Sequence, residues 1–281
     1  MPIANEEQAE FWEEMAATWI EIEERIESTA AEPGRRAFGA LNPRPGERIL
    51  DVGCGTGGTT VAIARMVEPG GQVVGADIAS EMLVKARQRA DEAGMSNIEF
   101  VHADVQTEDF GEMRFDAAFS RFGVMFYAEP VLAFANVRRS LRHGGRLAFA
   151  CWQHIFANEW MLVPGMAVMT ATGTPPPMPA EGEPGPFSLA DPERVNSVLR
   201  DAGFSEVVIA PYNDTLVVPE DEVSRYAATS LRVGAARDAL KDADEETRQR
   251  AAESVDAALR ERLVGGEVRL TRGYLIASAS A

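Results

Sequence analysis

The chain has 281 residues, 46% hydrophobic and 25% charged, enough for one α/β domain of catalytic size with insertions and a sizeable core. Its 44 acids against 27 bases leave a net charge of −17, which argues against a nucleic-acid backbone or an anionic membrane surface as partner, since both need clustered Lys and Arg. The cysteines, Cys54 and Cys151, form no C-x-x-C pair, so neither four-ligand zinc spacing nor a disulfide framework is present, and no metal is expected. The start, "MPIANEEQAEFW", has no basic segment leading into an apolar run, and no run approaches the roughly 20 apolar residues of a membrane helix. A reducing cytoplasm is therefore the expected compartment.

Residues 6–31 read as a helix, because Phe11, Trp12, Met15, Trp19, Ile22 and Ile26 recur at spacings of three and four, and Pro33-Gly34 is expected to stop it. A short helix over Arg35–Leu41 and the turn "NPRPGE" follow. Strands and helices then alternate. Arg48–Val52 is a short apolar strand, Thr59–Val67 a helix, and "QVVGAD" a second strand ending at Asp77. Ser80 is expected to cap a helix through Ala93, with Gly94 just after its end. "NIEFVHAD" is a third strand ending near Asp104, and "RFDAAFS" a fourth. Pro130 starts a helix that "RHGG" ends before a fifth strand, "RLAFACW". This alternation predicts a parallel sheet covered by helices on both faces.

The alternation breaks at Gln153. An apolar helical stretch, "NEWMLVPGMAVMTA", leads into "GTPPPMPAEGEPGPF", whose six prolines preclude a regular element. Asp191 is expected to cap a further helix, and "EVVIAPYNDTLVV" reads as one bent strand or two short ones. Residues 220–262 are helical and charged, and "GEVRLTRGYLIASASA" closes the chain as a strand. The expected domains are an N-terminal helical lid (1–44), a nucleotide-binding core (45–152), a cap insertion (153–190) and a C-terminal part of the core (191–281) carrying the helical insertion 220–262.

The strand–glycine loop–helix unit "ILDVGCGTGGTT" is the most informative stretch. Gly53, Gly55 and Gly58 fit G-x-G-x-x-G, as in a dinucleotide site, and Gly53, Gly55 and Gly57 fit G-x-G-x-G. Asp51 separates the two. A carboxylate two residues before the first glycine opposes a pyrophosphate, whereas it suits the ammonium and sulfonium of S-adenosylmethionine, whose own carboxylate suits loop N–H groups. Asp51 bonding only its own turn is the structural alternative. Asp77 lies 24 residues after Gly53, where an acid accepts ribose hydroxyls in either kind of site, and Asp104 can accept the exocyclic amine of adenine.

"ILDVGCGTGGTT", "VVGADIASEML", "FVHADVQ" and "FDAAFSRFGVMFY…LRHGGRLAFACW" together resemble the successive motifs of class I S-adenosylmethionine-dependent methyltransferases, in the small-molecule branch grouped with ubiquinone/menaquinone-type enzymes. The resemblance covers residues 45–152 well and the remainder loosely. It implies a Rossmann-like, doubly wound α/β fold whose seven-stranded sheet has its last strand antiparallel, with helical cap insertions. It implies S-adenosylmethionine as cofactor and S-adenosylhomocysteine as product. By position, Asp51, Gly53, Gly55, Thr56 and Gly57 would face the methionine side, while Asp77 would hold the ribose, with Ile78 and Met82 beside it. Ala103, Asp104 and Val105 would frame adenine. Ser120 would offer its carbonyl to the ammonium, with Arg121 and Phe122 alongside, and Trp19 would reach down from the lid.

Methyl transfer from a sulfonium needs alignment, desolvation and removal of one proton, so no universal catalytic residue is required. The candidates are His154 after the fifth strand, Tyr127 after the fourth, and Arg121, which could orient an anionic acceptor or pair with an acid. His102 and His143 are poorer choices. Met161, Met166, Met169 and Met178 would give a soft lining for a hydrophobic small-molecule acceptor methylated at O, N or C. A homodimer is compatible with this reading. Two alternatives remain at this stage: a scaffold that binds the cofactor for a cyclisation or for binding alone, and an NAD-linked oxidoreductase, for which no Tyr-x-x-x-Lys pair is present.

Overall fold

The computed structural model describes residues 5–173, 175 and 182–281; Met178 and three of the six prolines of the proline-rich run lie outside them. The chain divides into two compact units. The first comprises 1–152, 182–211 and 274–281, the second 153–181 and 212–273.

In the first unit the strands are β1 (Arg48–Val52), β2 (Gln72–Asp77), β3 (Ile98–His102), β4 (Phe115–Arg121), β5 (Leu141–Trp152), β6 (Ser205–Pro219) and β8 (Glu267–Ser280), the last two continuing into the second unit. They lie in the order β3-β2-β1-β4-β5-β8-β6. β1 pairs in parallel with β2 and β4, β2 with β3, and β4 with β5, while β8 is antiparallel to β5. The expected α/β class and antiparallel final strand are both present, and β8 sits between β5 and β6 rather than at the rim. The helices are α1 (Glu6–Glu21), α2 (Glu23–Leu41), α3 (Gly58–Met66), α4 (Ser80–Glu92), α5 (Pro130–Ser140) and α7 (Pro192–Asp201). β1 is Arg-Ile-Leu-Asp-Val with all but its first residue buried, as a central parallel strand covered on both faces requires.

Three local expectations are corrected. The N-terminal helix breaks at Ile22, and Pro33-Gly34 lies inside α2 instead of ending it. Pro33 forfeits one helical hydrogen bond, at a cost of about 3 kcal/mol. Its burial with Gly34, Ala37 and Leu41, and the stacking of Phe38 on Phe119 at 4.5 Å, offset that loss. Ser80 is the first residue of α4 and caps nothing. The N-cap is Ala79, and Glu13 of α1 accepts from the Ser80 N–H at 2.7 Å and from its hydroxyl, so the anion at that helix start comes from another helix. "RHGG" does not precede β5 but lies within it as a bulge: Phe115 pairs with Leu141, and Ala117 already with Arg146. Of the two readings of "EVVIAPYNDTLVV", the single strand is the one that forms. Asp191 does cap α7, accepting from the Glu193 N–H at 2.9 Å.

The second unit holds α6 (Glu159–Thr172), α8 (Val223–Ser230), α9 (Gly234–Ala239) and α10 (Glu245–Arg260). Val163, Val168, Val223, Val255, Leu259 and Leu270 form its core. A two-residue strand, β7 (Leu263–Val264), makes a hairpin with the start of β8 through Gly265-Gly266, both at positive φ. Arg272, 5% exposed, is neutralised by Asp214 at 2.7 and 3.0 Å. Among the described residues no helix is long and apolar enough to cross a membrane.

Candidate active site

The site is assembled at the carboxyl ends of β1, β2 and β4, where the glycine loop turns from β1 into α3. The three glycines of G-x-G-x-G serve different ends. Gly53, Gly55 and Gly57 all have positive φ, at 65°, 54° and 79°. A Cβ on Gly53 would stand 2.9 Å from the Cα of Gly123, and one on Gly57 would stand 2.9 Å from the Cβ of Ala86 in α4. Those two are glycines because other backbone and helix atoms of the protein crowd them. Gly55 has nothing within 4 Å of such a Cβ and so leaves open space over the loop. Gly53 and Cys54 donate to the Ala76 carbonyl, which ties the loop to β2.

Asp51 is fully buried beneath this loop. Its Oδ2 accepts from the hydroxyls of Thr59 and Thr60, at 2.8 and 2.6 Å, both in the first turn of α3. Its Oδ1 is buried without a hydrogen-bond partner among the described residues. Burial pushes the Asp51 carboxyl up to about 6, against the pull of the two threonines and of Arg121. A buried carboxylate oxygen left open in this way is costly unless a donor or cation reaches it.

Asp77, half-buried, accepts from the Gly55 N–H at 2.7 Å and the Ala79 N–H at 2.9 Å, so its carboxylate links the loop to the start of α4. Burial raises its pKa, opposed by those N–H groups. Ile78 gives its carbonyl to the ring of His102 at 2.9 Å. Asp104 is 5% exposed and accepts from the N–H of Gln106 at 2.9 Å and from the N–H of Asn5 at 3.1 Å. Ala103 and Val105, on either side, are buried. Asn5 also donates its side-chain amide to the Phe126 carbonyl, so the residue just before α1 is fixed at the third acid.

Ser120 is fully buried, and its hydroxyl donates to the Val52 carbonyl at 2.7 Å, joining the ends of β4 and β1. Arg121 pairs in a fork with Glu27 of α2, at 2.9 and 2.6 Å. Phe122 has φ of 68°, unusual for a bulky side chain, and stacks on Trp152 at 3.8 Å. Thr56 is buried in the loop. Met82 packs with Ala16 and Ala79, against which Trp12 and Trp19 are laid, so Trp19 and Met82 share one small cluster between α1 and α4. Trp12 sits edge-on to both Trp19 and Phe126, at 5.2 and 4.8 Å.

The three catalytic candidates have different surroundings. Tyr127 is buried, its ring edge-on to Phe134, and its hydroxyl has no hydrogen-bond partner among the described residues. Burial, reinforced by the charge of Asp104, pushes that phenol far above its ordinary value. It stays protonated near neutral pH, which weighs against a role as a base. His154 is exposed and belongs to the second unit, where its Nδ1 accepts from the Phe156 N–H at 3.4 Å. Arg121 is committed to Glu27. Sequence reasoning missed Thr59, Thr60, Glu27 and Asn5. The two threonines stood in the quoted loop motif, but nothing local marked Glu27, 94 residues from its partner.

Residues 49–145 match the family described as Methyltransferase domain. Aklanonic acid methyltransferase DauC of a Streptomyces strain is 40% identical over 116 residues, 41% of this chain and 53% of that protein. The ubiquinone/menaquinone biosynthesis C-methyltransferase UbiE of Teredinibacter turnerae is 39% identical over 105 residues, 37% of this chain and 42% of that protein. The chain thus spans about half or less of the length of these curated relatives. In fold it is similar to a Haemonchus contortus phosphoethanolamine N-methyltransferase solved with S-adenosylhomocysteine, with a TM-score of 0.54 at 18% identity, covering 88% of this chain and 52% of that one. The matched stretch, Ile49 to Gly145, carries the glycine loop and all three strand-end acids, and it is there that the chain is similar to methyltransferase domains.

Proposed function

We propose that this chain is an S-adenosylmethionine-dependent methyltransferase that methylates a small, apolar molecule at O, N or C. The observation that carries the proposal is the open Oδ1 of Asp51, a buried carboxylate oxygen at the mouth of a glycine loop. The residues present fit the cofactor. Asp51 offers negative charge to an ammonium, Gly55 leaves room over the loop, and Asp77 and Asp104 are the acceptors assigned in this reading to the ribose hydroxyls and the adenine amine. S-adenosylmethionine supplies, when bound, a methyl group already activated on a sulfonium.

The chain's own part is then to position and dehydrate. Thr59 and Thr60 fix the Asp51 carboxylate, Asp77 sets the loop against α4, and Ser120 locks the end of β4 to β1. The Phe122–Trp152 stack at the ends of β4 and β5 gives an apolar wall of the kind a flat or hydrophobic acceptor needs. Helices α1 and α2 act as the lid, and His154 is the candidate base. Aklanonic acid, the acceptor named for one relative, and the ubiquinone/menaquinone biosynthesis named for another support a small-molecule class. Calorimetry tests the reading: S-adenosylhomocysteine should bind and NADH should not, and NADH binding alone would replace it with an oxidoreductase. Cofactor that stays bound and unconsumed through turnover would point to a cyclase instead.

A further inference from the structure

Helix α2 presents a carboxylate to the part of the site best suited to hold an anion. Arg121 ends β4 and lies near enough to the Asp51 carboxyl to pull its pKa down. The Arg121 side chain crosses α2 at Gly34, where a Cβ would stand 3.0 Å from its Cδ, and it ends in the two-bond fork with Glu27. The same Glu27 reaches the start of α3. A Cβ on Gly58, the first residue of that helix, would stand 2.7 Å from Glu27 Oε1. One carboxylate thus engages a guanidinium and sits at the positive end of α3, whose first turn also holds the buried, open Asp51. A helix start, a forked cation and an unpartnered acid are what an α-amino acid needs: two groups for its carboxylate and one for its ammonium.

We propose that Glu27 is an internal latch. It takes the place of the methyl donor's own carboxylate on Arg121 and the α3 start, so that donor binding exchanges one carboxylate for the other and frees α2. The inference rests on the donor reading above. It makes the N-terminal helix pair a self-competing element rather than a passive cover. It also predicts that the latch distinguishes ligands by whether they carry an amino-acid end.

The test is calorimetry with two probes, S-adenosylhomocysteine, which has that carboxylate, and 5′-methylthioadenosine, which lacks it. Glu27→Gln should bind S-adenosylhomocysteine about tenfold more tightly than the wild type and methylthioadenosine within about twofold. Glu27→Asp, too short to bridge to Arg121, should show the same selective gain and serves if the amide variant folds poorly. Glu32→Gln, on the same helix but paired with Arg35 and Arg36, should bind both probes as the wild type does. Unchanged or weaker S-adenosylhomocysteine binding in both Glu27 variants overturns the latch while leaving the donor reading intact. An equal gain for both probes overturns it as well. No binding by any of the proteins overturns the latch and the donor reading together.

Discussion

Replacing Asp51 by Asn isolates the energetic cost of the site. In the folded chain burial holds this carboxyl at about 6, against an ordinary 3.8. At about 1.4 kcal/mol per pH unit, that gap of about two units corresponds to about 3 kcal/mol. Because the folded value is the higher one, the folded state keeps a proton that the unfolded state releases. Stability from this group is therefore complete below about 3.8 and is lost as pH rises to about 6. Asn carries no charge and should not show that loss. The free-energy difference between Asp51→Asn and the wild type, from urea titrations at pH 4 and pH 7.5, should shift by about 2.5 kcal/mol in favour of the variant at the higher pH, because at pH 4 part of the roughly 3 kcal/mol is already lost. A fixed penalty for an unpartnered buried amide offsets the curve without altering its pH dependence. At pH 7.5 the variant should also bind S-adenosylhomocysteine at least tenfold more weakly. A difference that stays constant between the two pH values would refute the argument that Asp51 is held charged against desolvation.

The remaining predictions are of the same kind. S-adenosylhomocysteine binding by the wild type should strengthen as pH rises through about 6, since an ammonium prefers the ionised Asp51, and a flat profile from pH 5 to 7 counts against that contact. Asp77→Ala should weaken cofactor binding by about 1.5–3 kcal/mol, the scale of hydrogen bonds to a charged group, and an affinity within twofold of wild type would remove Asp77 from the ribose site. Gly57→Ala should destabilise the fold by more than about 2 kcal/mol in urea, because its Cβ meets Ala86, whereas Gly55→Ala, facing open space, should cost only about 1 kcal/mol. His154→Ala should slow turnover without changing cofactor affinity, and equal rates would remove it from the mechanism.

What was legible in the sequence was what local pattern controls. β1 and β2 carry short apolar runs ended by an acid or a glycine turn, and their limits fall where the residues put them. The glycine loop and the three acids carry chemistry that few other patterns share. What failed depended on distant partners. Pro33 looks like a helix stop until its burial within α2 is known. Ser80 looks like a cap until Glu13, 67 residues away, supplies the anion. For Arg121, pairing with an acid was one of two open readings, and which acid, Glu27, only the fold could show. The second unit begins at Gln153, where the sequence alternation breaks, but no local pattern shows that this segment joins residues 212–273 across residues 182–211.

A structure of the protein crystallised with S-adenosylhomocysteine tests the central claim most directly. The account predicts the adenine amine at Asp104, the ribose hydroxyls on Asp77, and the amino group of the ligand against Oδ1 of Asp51. A glycine loop that instead refuses this ligand and closes on the diphosphate of NADH would contradict it.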